Sequence, residues 1–158
     1  MTTEQKDVAA LAKDGNKVIR NHMLVSMAVG LIPIPMADIV GITAVQLNML
    51  RKLAKIHEIP FTRNKVKSVL TSLVGGGGSV PVAGGFASLV KAVPVVGTTV
   101  GAVSMPIVAG AVTYAVGKVF LQHFASGGTF LTFDPEKVRE YYSEMFKEGK
   151  TAASDMAS

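Results

Sequence analysis

The residues able to do chemistry in this chain are a few imidazoles, one isolated acid and a glycine run. His22, His57 and His123 lie far apart, share no ligand-like spacing and have few acids beside them. A metal centre is therefore not expected. Cysteine is absent, which removes thiolate sites and disulfide frameworks. Serines and threonines are plentiful, but no nucleophile elbow or base-orienting triad surrounds them. Gly75-Gly76-Gly77-Gly78 invites comparison with a phosphate loop. Such a loop needs Gly-Lys-Ser/Thr to bring amides, an ammonium and a hydroxyl to the phosphates, and here Ser79-Val80-Pro81 follows. The run reads instead as a hinge or a close helix contact. Asp38 is the single acid in the apolar stretch Met23–Val45. Inside a membrane it would be a functional group by default. Its simpler role is electrostatic, in the first turn of a helix that follows a proline turn. No catalytic residue and no cofactor is expected, and the chain is read as non-enzymatic.

The chemistry that the sequence does favour is contact with a charged apolar interface. From Ser68 to Gly117 there is one charge, Lys91, so that Ser68–Val90 and Ala92–Gly117 are each about long enough to cross a bilayer core as helices. Charged residues are only 17% of the 158 and mean hydropathy is +0.40, which leans towards membrane contact. Residues 1–126 hold 12 Lys/Arg against 5 Asp/Glu, while 127–158 hold 4 against 6. Within the first part, Arg51, Lys52, Lys55, Arg63, Lys65 and Lys67 face only Glu58. A cationic patch beside apolar segments fits anionic lipid headgroups. Nucleic acid is not the expected partner, because Phe61 alone interleaves the basic stretch as a stacking platform.

These residues need helices to position them. Residues 3–20 read as a polar helix that Asp14-Gly15-Asn16 interrupts. An apolar run from Met23 reaches Gly30 and is broken by Pro33 and Pro35, which lack amide donors and restrict the residues before them. A second helix over roughly 36–57 places Ile39, Ile42, Leu50, Leu53 and Ile56 on one face and ends at Glu58-Ile59-Pro60. Thr62 caps a third helix with Val66, Val69, Leu70 and Leu73 as its apolar stripe. A long helix is expected from about Val95 to Phe124, kinked at Pro106. Its small residues, Gly97, Gly101, Gly110 and Gly117 among them, form a face on which two helices can approach closely. Asp134-Pro135-Glu136 opens a last amphipathic helix to about Glu148.

The fold class is thus all-α: a helical bundle with a proline-broken hairpin and glycine-rich apolar helices, associated with a membrane. The organisation expected is a polar helix over 1–20, an apolar membrane-associating domain over 21–126, an amphipathic helix over 127–148 and a flexible tail over 149–158. Lys17 and Arg20 precede the first apolar segment and the 51–67 cluster follows it, so both flanks favour the cytoplasm. A re-entrant or shallow hairpin around Pro33/Pro35 reconciles them. The pair 68–90 and 95–117 reads as a second hairpin with Lys91 near its tip. The alternative is a soluble bundle with a glycine-rich core. Residues 1–20 carry no cleavage pattern after an early apolar core, and the expected location is the cytoplasmic face of a bacterial inner membrane.

Several of these features occur together in one family. Gly30-Leu31-Ile32-Pro33-Ile34-Pro35-Met36-Ala37-Asp38 looks like the glycine–aliphatic–proline–x–proline–x–alanine–aspartate signature of the YcjF-type bacterial domain of unknown function, number 697. Gln46–Leu50, Leu53–Ile56, Val96–Thr98, Thr113–Gly117 and Phe124–Gly128 resemble its later blocks. The resemblance spans about residues 20–148. It implies a helical, membrane-associated module connected with GTPase systems, and no catalytic residues. Pro33, Pro35 and Asp38 transfer as a structural turn. The chain has no GTPase motif, so nucleotide chemistry would belong to a partner.

The leading expectation is a membrane-associated protein that self-associates as a homo-oligomer through its glycine-faced helices and scaffolds or remodels lipid, with a GTPase as a further partner. A soluble adaptor or regulator of a GTPase is the alternative. A pore-like membrane protein, resting on the apolar hairpin and Asp38, is the third.

Overall fold

The computed structural model describes the backbone of residues 1–32, 35–74 and 98–158, and the side chains of these except 35–39 and 98–104. The described residues form five helices: α1 Thr3–Val29, α2 Pro35–Ile56, α3 Arg63–Val74, α4 Thr98–Ala125 and α5 Arg139–Ala157. The expected all-helical bundle is thus present among them. Gly75–Gly78, Lys91 and Gly97 lie outside the described residues, as does the turn of the second expected hairpin.

α1 begins with a capping box. Thr2 Oγ1 accepts from the Gln5 amide at 3.2 Å, and the Gln5 side chain accepts from the Thr2 amide at 2.9 Å. The helix then runs unbroken past Asp14-Gly15-Asn16, so neither the expected interruption nor a boundary at residue 20 is found. The reason is tertiary. A Cβ on Gly15 would lie 2.5 Å from Leu121 Cδ1, so the glycine serves close packing on α4 rather than a break. α2 starts at Pro35, whose missing amide costs nothing in the first helical turn. It ends in a Schellman motif: Ile59 N–H donates to Ala54 O at 2.8 Å and Glu58 N–H to Lys55 O at 3.3 Å, with Glu58 at φ 56°. α4 ends the same way on Gly127, at φ 87°.

Packing pairs fix the directions. Val29 meets Gly41, and His22 meets Asn48, so α1 and α2 are antiparallel. Met27 meets Gly110 and Ile19 meets Gly117, so α4 is antiparallel to α1 and lies alongside α2. α3 closes one end of this three-helix layer with Val66, Leu70 and Leu73 buried. The same end holds an aromatic cluster in which Phe133 stacks on Phe120 at 4.4 Å and Phe130 meets Phe124 edge-on at 5.1 Å.

The C-terminal region differs from expectation in two ways. Asp134 Oδ1 accepts from the Glu136 amide at 3.0 Å, which makes a local turn, and the helix starts only at Arg139. Residues 149–157, expected as a flexible tail, are the second half of α5. Gly149 and Ala153 are buried against α4, and that packing overrides the low helix propensity of glycine.

Candidate functional site

Burial and charge divide α1, α2 and α4 along their length, while α5 carries Glu148, Lys150 and Asp155 on one side of the apolar section. At the α1–α2 turn, large apolar side chains are exposed: Leu31 at 68% and Val40 at 68%, with Leu24, Val25 and Ile32 nearly half exposed. Pro106 of α4 lies at this end, since a Cβ on Gly30 would come within 3.1 Å of the Pro106 Cα. Reading away from it, the next charges are Arg20 on α1, Lys118 on α4 and Arg51 on α2. At 1.5 Å per residue, the section free of Lys and Arg is roughly 15 Å deep on α1, 18 Å on α4 and 24 Å on α2. Within it α1, α2 and α4 carry one acid, Asp38. It lies in the first turn of α2, its side chain outside the described residues. Pro35 opens that helix and Pro33 is outside the described residues.

Behind the apolar section comes a band of positive charge. Lys17, Arg20, Arg51, Lys52 and Lys55 are exposed, and Lys118 donates to Asn16 Oδ1 with its Nζ 5.4 Å from the Tyr114 ring centroid. Arg63, Lys65 and Lys67 on α3 are exposed as well. Among the described residues none of the six cations singled out in the sequence has a carboxylate partner. The ion pair described is Arg139–Glu136, at 2.6 Å. Lys65 also edges a pocket of about 140 Å³ floored by Phe130 and Val66 and rimmed by Leu131, which is 81% exposed.

The glycine face is split. Gly110 and Gly117 sit at contacts within the chain: a Cβ on Gly110 would meet Met27 Cγ at 2.8 Å, and one on Gly117 would meet Ile19 Cγ1 at 2.6 Å. Gly101 is in α4, its surroundings outside the described residues, and Gly97 is itself outside them. α5 lies antiparallel on α4, with Gly149 against Ala111 and Ala153 against Gly110. Tyr114 donates to Glu148 across this contact. Burial, then the neighbouring Glu148 and Glu144 carboxylates, raise the Tyr141 pKa, and burial alone raises that of Tyr142.

One grouping escaped the sequence reading. Ser26 and Thr113 hydroxyls meet at 2.7 Å, and Gln46 Nε2 donates to Thr113 Oγ1 at 3.2 Å, tying α1, α2 and α4 inside the apolar section. One turn away, His22 Nδ1–H donates to Val18 O at 2.7 Å while Nε2 accepts from Asn48 at 3.2 Å. Burial lowers the His22 pKa most, opposed by the Val18 bond and assisted by Lys52. The available signal was positional: polar residues at 26, 46 and 113 interrupt otherwise apolar runs. Among the described residues no three His, Asp or Glu side chains gather to hold a metal.

No solved structure matches the chain. Over 141 residues it is 37% identical to magnetosome membrane protein 22 of Magnetospirillum gryphiswaldense, covering 87% of this chain and 71% of the relative. The family described as a domain of unknown function, DUF697, matches residues 3–151, and the chain belongs to that family.

Proposed function

We propose that this is a non-enzymatic bacterial membrane-associated protein that seats the α1–α2 end of its bundle in the lipid and holds anionic headgroups with the basic band behind it. The observation that carries this reading is the depth of the apolar section. A section of roughly 15–24 Å compares with about 15 Å for one leaflet, half of the 30 Å hydrocarbon core. Exposed Leu31 and Val40 at its tip and exposed Arg20, Arg51, Lys52 and Lys55 at its rim supply the two kinds of contact an interface offers. The relative named as a magnetosome membrane protein supports the same location. Self-association into a scaffold that shapes the membrane belongs to this reading, through surfaces other than Gly110 and Gly117, whose faces are taken up within the chain. The inner membrane, with the basic band on the cytoplasmic face, is the compartment this charge distribution favours, and a GTPase is the partner class that the family resemblance adds.

Flotation with vesicles on a density gradient tests it. The protein should float, and neutralising Arg51, Lys52 and Lys55 should weaken binding to anionic vesicles by roughly fivefold per residue, since each contributes about 1 kcal/mol. Failure to float would remove the reading. A soluble GTPase adaptor is the second reading, favoured by one observation: the apolar stretch Met105–Ala125 is mostly buried inside the bundle. Capture with a GTPase from detergent-free cytosol, with none recovered in membranes, would select it.

A further inference from the structure

We propose that a second copy of this chain docks on the pocket between the start of α3 and the loop after α4, each copy seating its Leu131 in the pocket of the other. The inference rests on the self-association in the reading above and gives it a surface. The pocket, of about 140 Å³, has Lys65 and Val66 on its α3 side and Thr129, Phe130 and Leu131 on its loop side. An apolar cavity of about 150 Å³ holds a benzene ring, so this one has room for a leucine side chain. It lies at the end of the bundle that holds the aromatic cluster. The 22 residues of α2, rising roughly 33 Å, separate that end from the α1–α2 turn. A copy seated in lipid by the turn therefore keeps the pocket clear of the hydrocarbon.

The loop after α4 holds Leu131 outward. Phe130 is buried and Phe133 stacks on Phe120, while Leu131 is 81% exposed. His123 Nε2–H donates to Thr129 O at 2.8 Å, the Thr129 amide to Thr132 Oγ1 at 2.9 Å, and the Leu131 amide to Thr129 Oγ1 at 3.2 Å. A knob fixed in this way has little freedom left to lose on docking. Self-complementarity selects the occupant. One patch carries a protruding leucine beside an apolar recess, and a two-fold contact fills both recesses at once. A foreign partner would have to bring a matching knob and hole of its own. Charge agrees with this. Lys65 at the rim is exposed and has no carboxylate partner among the described residues, and Asp134 follows Leu131 by three positions. Across the two-fold, each Lys65 comes within reach of Asp134 of the other copy.

The chain has no cysteine, so a single one introduced at the contact reports it directly. Leu131 is itself a wall of the pocket, so the two copies bring their Leu131 side chains together. Full-length Leu131→Cys and Ser143→Cys proteins are oxidised at equal concentration, in solution and on vesicles of phosphatidylethanolamine and phosphatidylglycerol. Position 143 is exposed on α5 and serves as the comparison. Leu131→Cys should form covalent dimer at least about tenfold faster, because its thiols are held together. In sedimentation equilibrium, Leu131→Lys should raise the dimer dissociation constant roughly a hundredfold. Two buried leucines are lost per dimer, each worth roughly tenfold. Lys65→Glu should also weaken the dimer, and Lys65→Glu/Asp134→Lys should recover it. Equal cross-linking at 131 and 143, with dissociation unchanged by Leu131→Lys, would overturn the proposal and leave self-association to another surface. Weaker flotation of Lys65→Glu with unchanged dimerisation would also overturn it, assigning the rim to lipid headgroups. A native protein that is monomeric both in solution and on vesicles would end the proposal and the self-association reading together.

Discussion

Replacing Gly149 with alanine separates a close helix contact from an ordinary surface helix by the sign of its effect. In a solvent-exposed helix, Gly→Ala stabilises by about 1 kcal/mol through backbone entropy. Here the new Cβ would stand 2.9 Å from Ala111 O and 3.0 Å from Ala111 Cα. Both are backbone atoms of α4, so relief requires α5 itself to move. Overpacking of this kind costs about 1–3 kcal/mol, and the net expectation is a loss of up to about 2 kcal/mol. That corresponds to a Tm lower by roughly 2–8 °C in a domain of this size. Thermal and urea unfolding followed by circular dichroism measure it. Ser143→Ala, at an exposed position on the same helix, reports propensity and should stabilise slightly. A Gly149→Ala protein more stable than the native one by the full propensity gain would refute the reasoning, and with it the docked position of α5.

Three further outcomes are expected. Because burial depresses the His22 pKa, the unfolded chain takes up a proton first as pH falls. Its stabilising contribution is full above about pH 6.5, the unfolded value, and declines as pH drops below that towards the folded pKa. Urea midpoints at several pH values should show this decline, and His22→Gln should flatten it. Thr113→Val leaves the buried Ser26 hydroxyl and Gln46 amide without their shared partner, at a cost of about 1–3 kcal/mol. Adding Ser26→Ala should cost less than the sum of the single changes, a coupling readable from a double-mutant cycle. Glu58→Gly relieves a left-handed backbone at the end of α2 and should raise stability by about 1 kcal/mol in denaturant unfolding.

Periodicity and punctuation made the bundle legible in the sequence where local and tertiary forces agree. The α2 stripe through Leu50 and Leu53 and the α3 stripe through Val66, Leu70 and Leu73 are buried as read. Pro35 and Pro60 flank α2 because their covalent geometry acts whatever the surroundings. Glycine misled the reading in both α1 and α5 for one shared reason. Gly15 and Gly149 carry unfavourable helix propensity, yet each lies where a side chain would collide with α4, at Leu121 and at Ala111. Propensity is local, and the benefit that outweighs it belongs to a residue about a hundred or some forty positions away. The buried cluster of Ser26, Gln46 and Thr113 was hidden likewise, since its members are 87 and 67 residues apart. The charge pattern fared differently. The six cations remain exposed because nothing in the packed interior competes for them.

The first three turns of α1 have a consequence for how this protein is kept in shape. Residues 3–14 are helical, and every one of them is exposed. An isolated helix of that length is marginal in water, because its first turn fixes several torsions for a single hydrogen bond. Here nucleation has already happened deeper in, where Ile19 and Met23 are packed, and the free segment only propagates from it. The arm is therefore a winding zone that opens and recloses from its tip without disturbing the bundle. Amide protection should grade from nearly none at Thr3 to the global value by Ile19, with the Thr2–Gln5 capping box slowing the outermost turn. Any loosening of the α1–α4 contact at Gly15 would shorten the arm by moving the winding boundary inward.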